Sequence, residues 1–326
     1  MNYNRTISNK LSQLLEKGGK LRWLFDYVKN RADLDFLIGK NKGKEWISIY
    51  RGLSRILEIT QLQNKSKIKL DANNAYKNIG VNIYGDRNPS VQFKVELDDL
   101  ILKVSSLPQF NKYYDNKKEG FYQNELSRKY GICSQKTADF VIIDKEAVIG
   151  YRNQKEKNNI YGKIQNKYKI LQSKISKLDS KLYGGDLQKK SIGDELDFLA
   201  LDKDGNILLI EYKDGSSTSG IYLSPLQIGM YYDLFKKLTP SDLKMAVHEM
   251  LEQKKKIGLI NPNWKSPKIS GNIIPILIIS NYNYKSSGKE RYEEIINFIR
   301  STKASNKFLK DIRTFNYTSN NGLSLW

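Results

Sequence analysis

The sequence predicts an α/β domain in its C-terminal two-thirds, preceded by a smaller α+β domain. Three observations carry this. Two apolar runs, residues 196–201 and 207–210, flank the turn composition Asp202-Lys203-Asp204-Gly205-Asn206 and read as a β-hairpin buried on both faces. Helical patterns then bracket a further buried strand, residues 272–280, the alternation of helix and strand expected of an α/β core. The first third instead shows a helical stretch followed by short alternating runs.

Residues 7–30 read as helical, with Leu11, Leu14, Leu15, Leu21, Leu24 and Val28 near helical spacing and Gly18-Gly19 as a break. Residues 46–60 mix strand-like alternation with longer apolar spacing, and Gly52 marks a bend. Residues 67–70 and 91–97 alternate and read as strands. We take 1–118 as the α+β domain, a recognition or purely structural element without chemistry of its own, and 119–326 as the second domain. Residues 121–130 form a short helix. Residues 138–144 echo 196–202, but the place where an acid-x-lysine would follow reads Gly150-Tyr151-Arg152. Over about 161–183, Ile164, Tyr168, Leu171, Ile175, Leu178 and Leu182 recur in steps of four and three, an amphipathic helix with a Lys-rich outer face. After the hairpin, Ser224-Pro225 suits an N-cap and first helical position. A helix follows over 241–256 with Ser241 as cap, and Lys254, Lys255 and Lys256 at its end read as solvated. In the strand 272–280, Pro275 must sit at an edge, a bulge or the first ladder positions. Residues 289–300 form a helix and 312–317 a last strand.

Composition narrows the chemistry. The chain has 326 residues and a net charge of +20, from 55 Lys+Arg against 35 Asp+Glu. Such a balance attracts polyanions, although a coding bias toward lysine is the competing explanation. Residues 151–190 carry 11 Lys+Arg and 3 Asp+Glu. The outer face of the helix there, with Lys163, Lys167, Lys174 and Lys181, is both a solvated face and a candidate phosphate-binding surface. One cysteine, Cys133, excludes an internal disulfide and a Cys-rich zinc site, and the single histidine, His248, reads as a helix-surface or packing residue. Catalysis must therefore lean on carboxylates, Lys, Tyr and Ser. No apolar run is long enough to span a membrane and no signal-peptide h-region is present, so the cytoplasm is expected. P-loop, Gly-x-Gly-x-x-Gly and Gly-x-Ser-x-Gly patterns are absent.

The hairpin carries the chemistry. Asp197 interrupts the first apolar run, and Glu211-Tyr212-Lys213 ends the second. Alternation puts Glu211 and Lys213 on one face, and the hairpin brings Asp197 beside Glu211. An acid in an apolar strand is costly unless it is paired or binds a cation. Two carboxylates suit Mg²⁺, which keeps several waters and accepts phosphate oxygens. Lys213 would orient or deprotonate a water, or hold developing negative charge. A plain salt-bridged hairpin is the competing reading. Gln227 and Tyr231 lie one turn apart on the following helix and face the same way.

Gly193, Asp197, Glu211, Lys213, Gln227 and Tyr231 together resemble the PD-(D/E)xK nuclease superfamily, within it the RecB-like branch with its Gly-x-x-x-Asp, (Asp/Glu)-x-Lys and Gln-x-x-x-Tyr motifs. The resemblance implies a restriction-endonuclease-like mixed sheet flanked by helices. It implies a Mg²⁺-dependent deoxyribonuclease, with Mn²⁺ as substitute, Asp197 and Glu211 as metal ligands and Lys213 as catalytic lysine. Gln227 and Tyr231 would support the site or contact substrate. Glu195, two residues before Asp197, would share its strand face as a further ligand. Leu196 stands where the family name has Pro, and no histidine precedes the motif. An upstream helical Glu often completes such sites; Glu125 and Glu156 are the candidates, and each also reads as a surface residue. DNA is the expected partner, in a restriction or defence setting, with a homodimer left open. The alternative is a non-catalytic nucleic-acid-binding protein that keeps the fold.

Overall fold

A computed structural model of the chain describes residues 1–41, 43–61, 67–72, 84–87, 91–107, 114, 118–178, 192–193, 195–302 and 308–326. Two compact units form: Asn4–Ile143 with Ala246–Lys265, and Met1–Tyr3 with Asp144–Met245 and Ser266–Trp326. The boundary expected at 118 is instead the N-cap of a helix inside the first of these units.

In that unit, α1 (Asn9–Leu15) is capped by Ser8, whose Oγ accepts from the Leu11 N–H, and α2 (Arg22–Lys29) follows the break at Gly18-Gly19. Five strands, β1 (Asp35–Asn41), β2 (Lys44–Arg51), β3 (Ser54–Gln61), β4 (Ile68–Ala72) and β5 (Tyr84–Arg87), pair antiparallel in sequence order, with Gly52 in the β2–β3 turn. Among the described residues, α3 (Val91–Ser105) and α4 (Glu119–Tyr130) follow. The strand expected over 91–97 is thus the first half of α3. Its buried residues, Phe93, Leu97, Leu100, Ile101 and Val104, follow helical spacing, while Val95, which completed the apparent alternation, is 56 % exposed. These side chains join Leu11, Leu24, Ile47, Ile49, Leu57 and Ile59 in one core.

Beyond short helical turns at Gln154–Lys157, Asn158–Gly162 and Phe308–Lys310, the other described elements are β6 (Phe140–Ala147), α5 (Lys163–Leu178), β7 (Leu196–Asp202), β8 (Ile207–Asp214), α6 (Thr218–Phe235), α7 (Pro240–Ile257), β9 (Ile273–Ser280), α8 (Gly288–Ser301), β10 (Arg313–Thr318) and β11 (Gly322–Leu325). A mixed sheet has the order β11-β10-β9-β8-β7-β6. β8, β9 and β10 are parallel, whereas β7 and β11 run antiparallel to their neighbours β8 and β10. Parallel neighbours need crossover connections, and helices supply them between β8 and β9 and between β9 and β10. β9 is buried along its whole length, as its apolar run requires. Pro275 pairs with Leu209 of β8 but precedes Ile276, the first residue paired to β10, so it sits at the start of a ladder as expected.

Two helix starts differ from expectation. α6 begins at Thr218, six residues before Ser224, which leaves Pro225 in the helix interior. A proline there deprives the carbonyl four residues back of its donor. That carbonyl belongs to Ile221, and the Ser224 hydroxyl donates to it at 2.6 Å. Ser224 therefore repairs the helix at the proline rather than capping its start. α7 begins at Pro240, and Thr239 Oγ1 accepts from the Asp242 N–H at 3.2 Å, so Thr239 rather than Ser241 fills the cap position. At the end of α7, Lys254 is buried, Lys255 donates to the Trp264 carbonyl and Lys256 pairs with Glu16, so only Lys256 is the solvated lysine expected there.

Candidate active site

The hairpin register is set at its turn. The Asp202 carboxylate accepts from the Asp204 N–H (3.0 Å), the Asn206 N–H (2.8 Å) and the Asn206 side-chain amide (2.9 Å). The resulting ladder runs from Leu201↔Ile207 to Phe198↔Ile210. One step further along are Asp197 and Glu211. Here the Asp197 carboxylate replaces the backbone partner, and its Oδ2 accepts from the Tyr212 N–H at 2.8 Å. Continued by one step, this register sets Asp197 opposite Glu211.

Glu211 and Lys213 share one face of β8, and their partners on β9, Leu277 and Ile279, are fully buried. Lys213 Nζ donates to Glu211 Oε1 at 2.5 Å, with the two side chains only 14 % and 3 % exposed. The pair is therefore held in an apolar, weakly screening setting, where a charge acts strongly on whatever approaches it. Asp214, next in the strand, was not singled out by sequence. It is buried, and its Oδ1 accepts from the Ser216 N–H (2.8 Å) and hydroxyl (2.5 Å). This Asx turn leads β8 into α6. An Asp-Gly-Ser-Ser sequence is the signal that could have found it.

α6 meets the site at two places. Near its start, a Cβ added to Gly220 would lie 3.3 Å from Lys213 Cδ. Further along, Gln227 and Tyr231 approach the segment that leads into β7. Gly193 has φ +76, and a Cβ there would lie 3.0 Å from both Gln227 Nε2 and the Tyr231 hydroxyl. A glycine is required at this position by conformation and by space. The Tyr231 hydroxyl donates to the Glu195 carbonyl at 2.6 Å, and the side chain is 2 % exposed. As placed, Tyr231 holds the entry to β7, and a direct contact with nucleic acid is not what its burial offers. The glycine, the acid-x-lysine strand and the Gln-x-x-x-Tyr helix thus converge on one end of the hairpin.

The remaining expected residues divide. Glu195 is exposed, and the bond just described uses its backbone. Among the described residues, no three His, Cys, Asp or Glu side chains gather as a metal-binding group. Glu156 binds the Met1 amine at 2.6 Å and the Arg152 N–H at 2.7 Å, and these hydrogen bonds hold its carboxyl below the usual range. It belongs to that contact rather than to the Asp197–Lys213 cluster. Glu125 lies on α4, in the other unit. His248 is exposed on α7.

α5 packs on α6 through the stripe the sequence predicted, with Ile164, Tyr168, Leu171 and Ile175 buried. Gly229 allows the approach, since a Cβ there would lie 2.8 Å from the Tyr168 ring and 2.7 Å from that of Phe308. The Tyr168 hydroxyl and Lys167 both donate to Asp233 of α6, at 3.0 and 2.7 Å. Lys167 is therefore engaged in an intramolecular ion pair, whereas Lys163 and Lys174 are exposed. Lys181 and Leu182 lie outside the described residues, and Leu178 is exposed at the helix end.

No protein-family model matches the chain, and no curated protein and no solved structure matches it either.

Proposed function

We propose that Asp197, Glu211 and Lys213 form the catalytic centre of a metal-dependent nuclease acting on DNA, built on a restriction-endonuclease-like sheet. The observation that supports this reading best is the convergence of three separate motif segments. Gly193 lies against Gln227 and Tyr231, and the same helix lies against Lys213 of the buried Glu211–Lys213 pair. A salt-bridged hairpin alone gives no reason for a left-handed glycine to be packed under a Gln-x-x-x-Tyr helix.

The donor set suits Mg²⁺. This ion takes one or two carboxylates and fills its other positions with water and phosphate oxygens, so Asp197 and Glu211 suffice without a third acid. When bound, the ion would polarise the phosphoryl group and acidify a water. Asp197 and Glu211 would hold it at the end of the ladder. Lys213, held by its ion pair with Glu211, would orient the attacking water or hold negative charge on the phosphate. Gln227 and Tyr231 would act as positioning residues that fix Gly193 and the start of β7. The net charge of +20 and the exposed Lys163 and Lys174 would favour approach of a polyanion.

The reading is tested with supercoiled plasmid, linear duplex and single-stranded DNA, each in Mg²⁺, Mn²⁺ or EDTA, beside Asp197→Asn. Metal-dependent cutting that the variant loses is the expected result, and a parallel thermal scan should show Mg²⁺ raising the Tm of the wild type more than that of the variant. DNA binding without cutting in any metal would favour a binding protein that keeps the fold.

A further inference from the structure

The segment that follows β9 has features that the hairpin chemistry does not use. Ile279 and Ser280 pair in register with Lys213 and Asp214, so the segment starts beside the Glu211–Lys213 pair. Asn281 turns the chain with φ +48, and the Gly215 N–H donates to the Ser280 carbonyl at 2.7 Å. Thr218 Oγ1 and Ser286 Oγ, 3.1 Å apart, tie the segment to the first residue of α6, two residues before Gly220.

The segment is braced internally. Asn283 Oδ1 accepts from the Lys285 N–H at 3.0 Å, and the Asn283 carbonyl accepts from the Ser286 N–H at 2.8 Å. The Tyr282 hydroxyl donates to the Ser286 carbonyl and accepts from the Lys289 N–H, each at 3.0 Å. Behind it stands a series of edge-on aromatic contacts: Tyr284 to Tyr282 (5.3 Å), Tyr282 to Trp326 (5.1 Å) and Trp326 to Tyr292 (5.3 Å). The Lys289 ammonium lies 5.4 Å from the Trp326 ring centre. Tyr282 is buried, but Tyr284 at the outer end is 77 % exposed; Lys285, next in sequence, and Lys289, against Trp326, are exposed too.

A single exposed aromatic is ordinary. One that is held at the end of a braced aromatic series, followed in the chain by exposed Lys285 and Lys289, on a segment that starts beside Lys213, has the composition of a base-stacking platform: a ring for the base and cations for the backbone. We propose that Tyr284 stacks on an unpaired base and that Lys285 and Lys289 hold the adjoining phosphates, so that this segment receives single-stranded DNA next to Lys213. In a duplex the base faces are already stacked on one another, so a lone ring selects strands whose bases are free. The proposal deepens the nuclease reading and rests on it for the choice of DNA.

The test uses the full chain in EDTA, so that binding is read without cleavage. Fluorescence anisotropy would follow a labelled oligothymidine of about 16 nucleotides, near the upper site size for one such surface, and a blunt duplex of equal length. Loss of one stacked base should weaken single-strand binding roughly 5- to 150-fold in Tyr284→Ala. Tyr284→Phe should bind as the wild type, and the duplex should be insensitive to both changes. Single-strand binding unchanged in Tyr284→Ala, an equal loss on duplex, or no single-strand binding by the wild type would each overturn the proposal. Cleavage is scored separately in Mg²⁺. A wild type that cuts DNA while Tyr284→Ala binds single strands normally sinks the platform alone. A Tyr284→Ala binding loss in a protein that never cuts sinks the nuclease reading alone.

Discussion

Removing Lys213 alone should cost more stability than removing Lys213 and Glu211 together. The side chains are 14 % and 3 % exposed, and their charged atoms are 2.5 Å apart. At an effective dielectric near 20, unit charges at that separation attract by about 6–7 kcal/mol. Against this stands a desolvation cost of several kcal/mol per ion, so the pair is close to neutral relative to an uncharged replacement. One member left alone is a different matter. Lys213→Met strands the Glu211 carboxylate between β7 and β9 and should cost about 3–5 kcal/mol. Glu211→Gln should cost less, because the lysine stem can carry its ammonium toward water. The double variant Glu211→Gln/Lys213→Met should recover most of the loss. Equilibrium urea unfolding of all four proteins measures this, taken where two spectroscopic probes give the same transition. Single-variant losses that add to the double-variant loss within about 0.5 kcal/mol would show that the pair is not coupled and refute the reasoning.

Three further outcomes are expected. Gly193→Ala must place a side chain at φ +76 and 3.0 Å from Gln227 and Tyr231. At about 1–2 kcal/mol for the backbone alone the Tm should fall by roughly 2–8 °C, and an unchanged Tm would remove the argument for close approach. Ser224→Ala leaves the Ile221 carbonyl without the hydroxyl that replaces the missing Pro225 donor, a loss of about 1–3 kcal/mol. In a Pro225→Ala background, where the backbone N–H returns, the same change should cost much less, and an equal cost by urea unfolding would contradict the repair. Burial pushes the Asp33 carboxyl up, but hydrogen bonds and charge from Arg31 and Arg51 outweigh it and hold the carboxyl below its usual value. Its stabilisation is therefore complete above the unfolded-state pKa and is lost as pH falls through the depressed folded one. The stability gap between wild type and Asp33→Asn should narrow on acidification, and a gap independent of pH in urea melts would count against this ion network.

The β7–β8 hairpin was legible because its turn, its two apolar runs and its acids are all local signals. Asp202-to-Asn206 chemistry fixes the register, and the Asp197 carboxylate closes the hairpin on the Tyr212 N–H, next to Glu211 in sequence. The misread elements are those where a short window admits two periods. Residues 91–97 alternate, yet Leu100, Ile101 and Val104 extend the pattern as a helix. Ser224-Pro225 carries a helix-start signature, and only the Ile221 carbonyl bond shows that the pair lies within a helix. β1, β5 and β11 were not foreseen, the first because Asp35, Gly39 and Lys40 interrupt its apolar run and the other two because each is four residues long at a sheet edge. Each unit is assembled from separate chain segments, an arrangement that a single boundary at 118 cannot express. At the site, spacing alone placed Gln227 and Tyr231 on one helix face. That this face closes on Gly193 is a tertiary fact that spacing does not contain.

The measurement that tests the central claim most directly compares the wild type with Glu211→Gln/Lys213→Met on supercoiled plasmid and single-stranded DNA, in Mg²⁺ and in EDTA. The double variant keeps the buried site free of an uncompensated charge, so folding and catalysis separate. The account predicts Mg²⁺-dependent cutting by the wild type and a double variant that stays folded and binds DNA but cuts at least about 10²-fold more slowly. A folded wild type that cuts nothing in any metal, or a double variant that cuts at the wild-type rate, would contradict it.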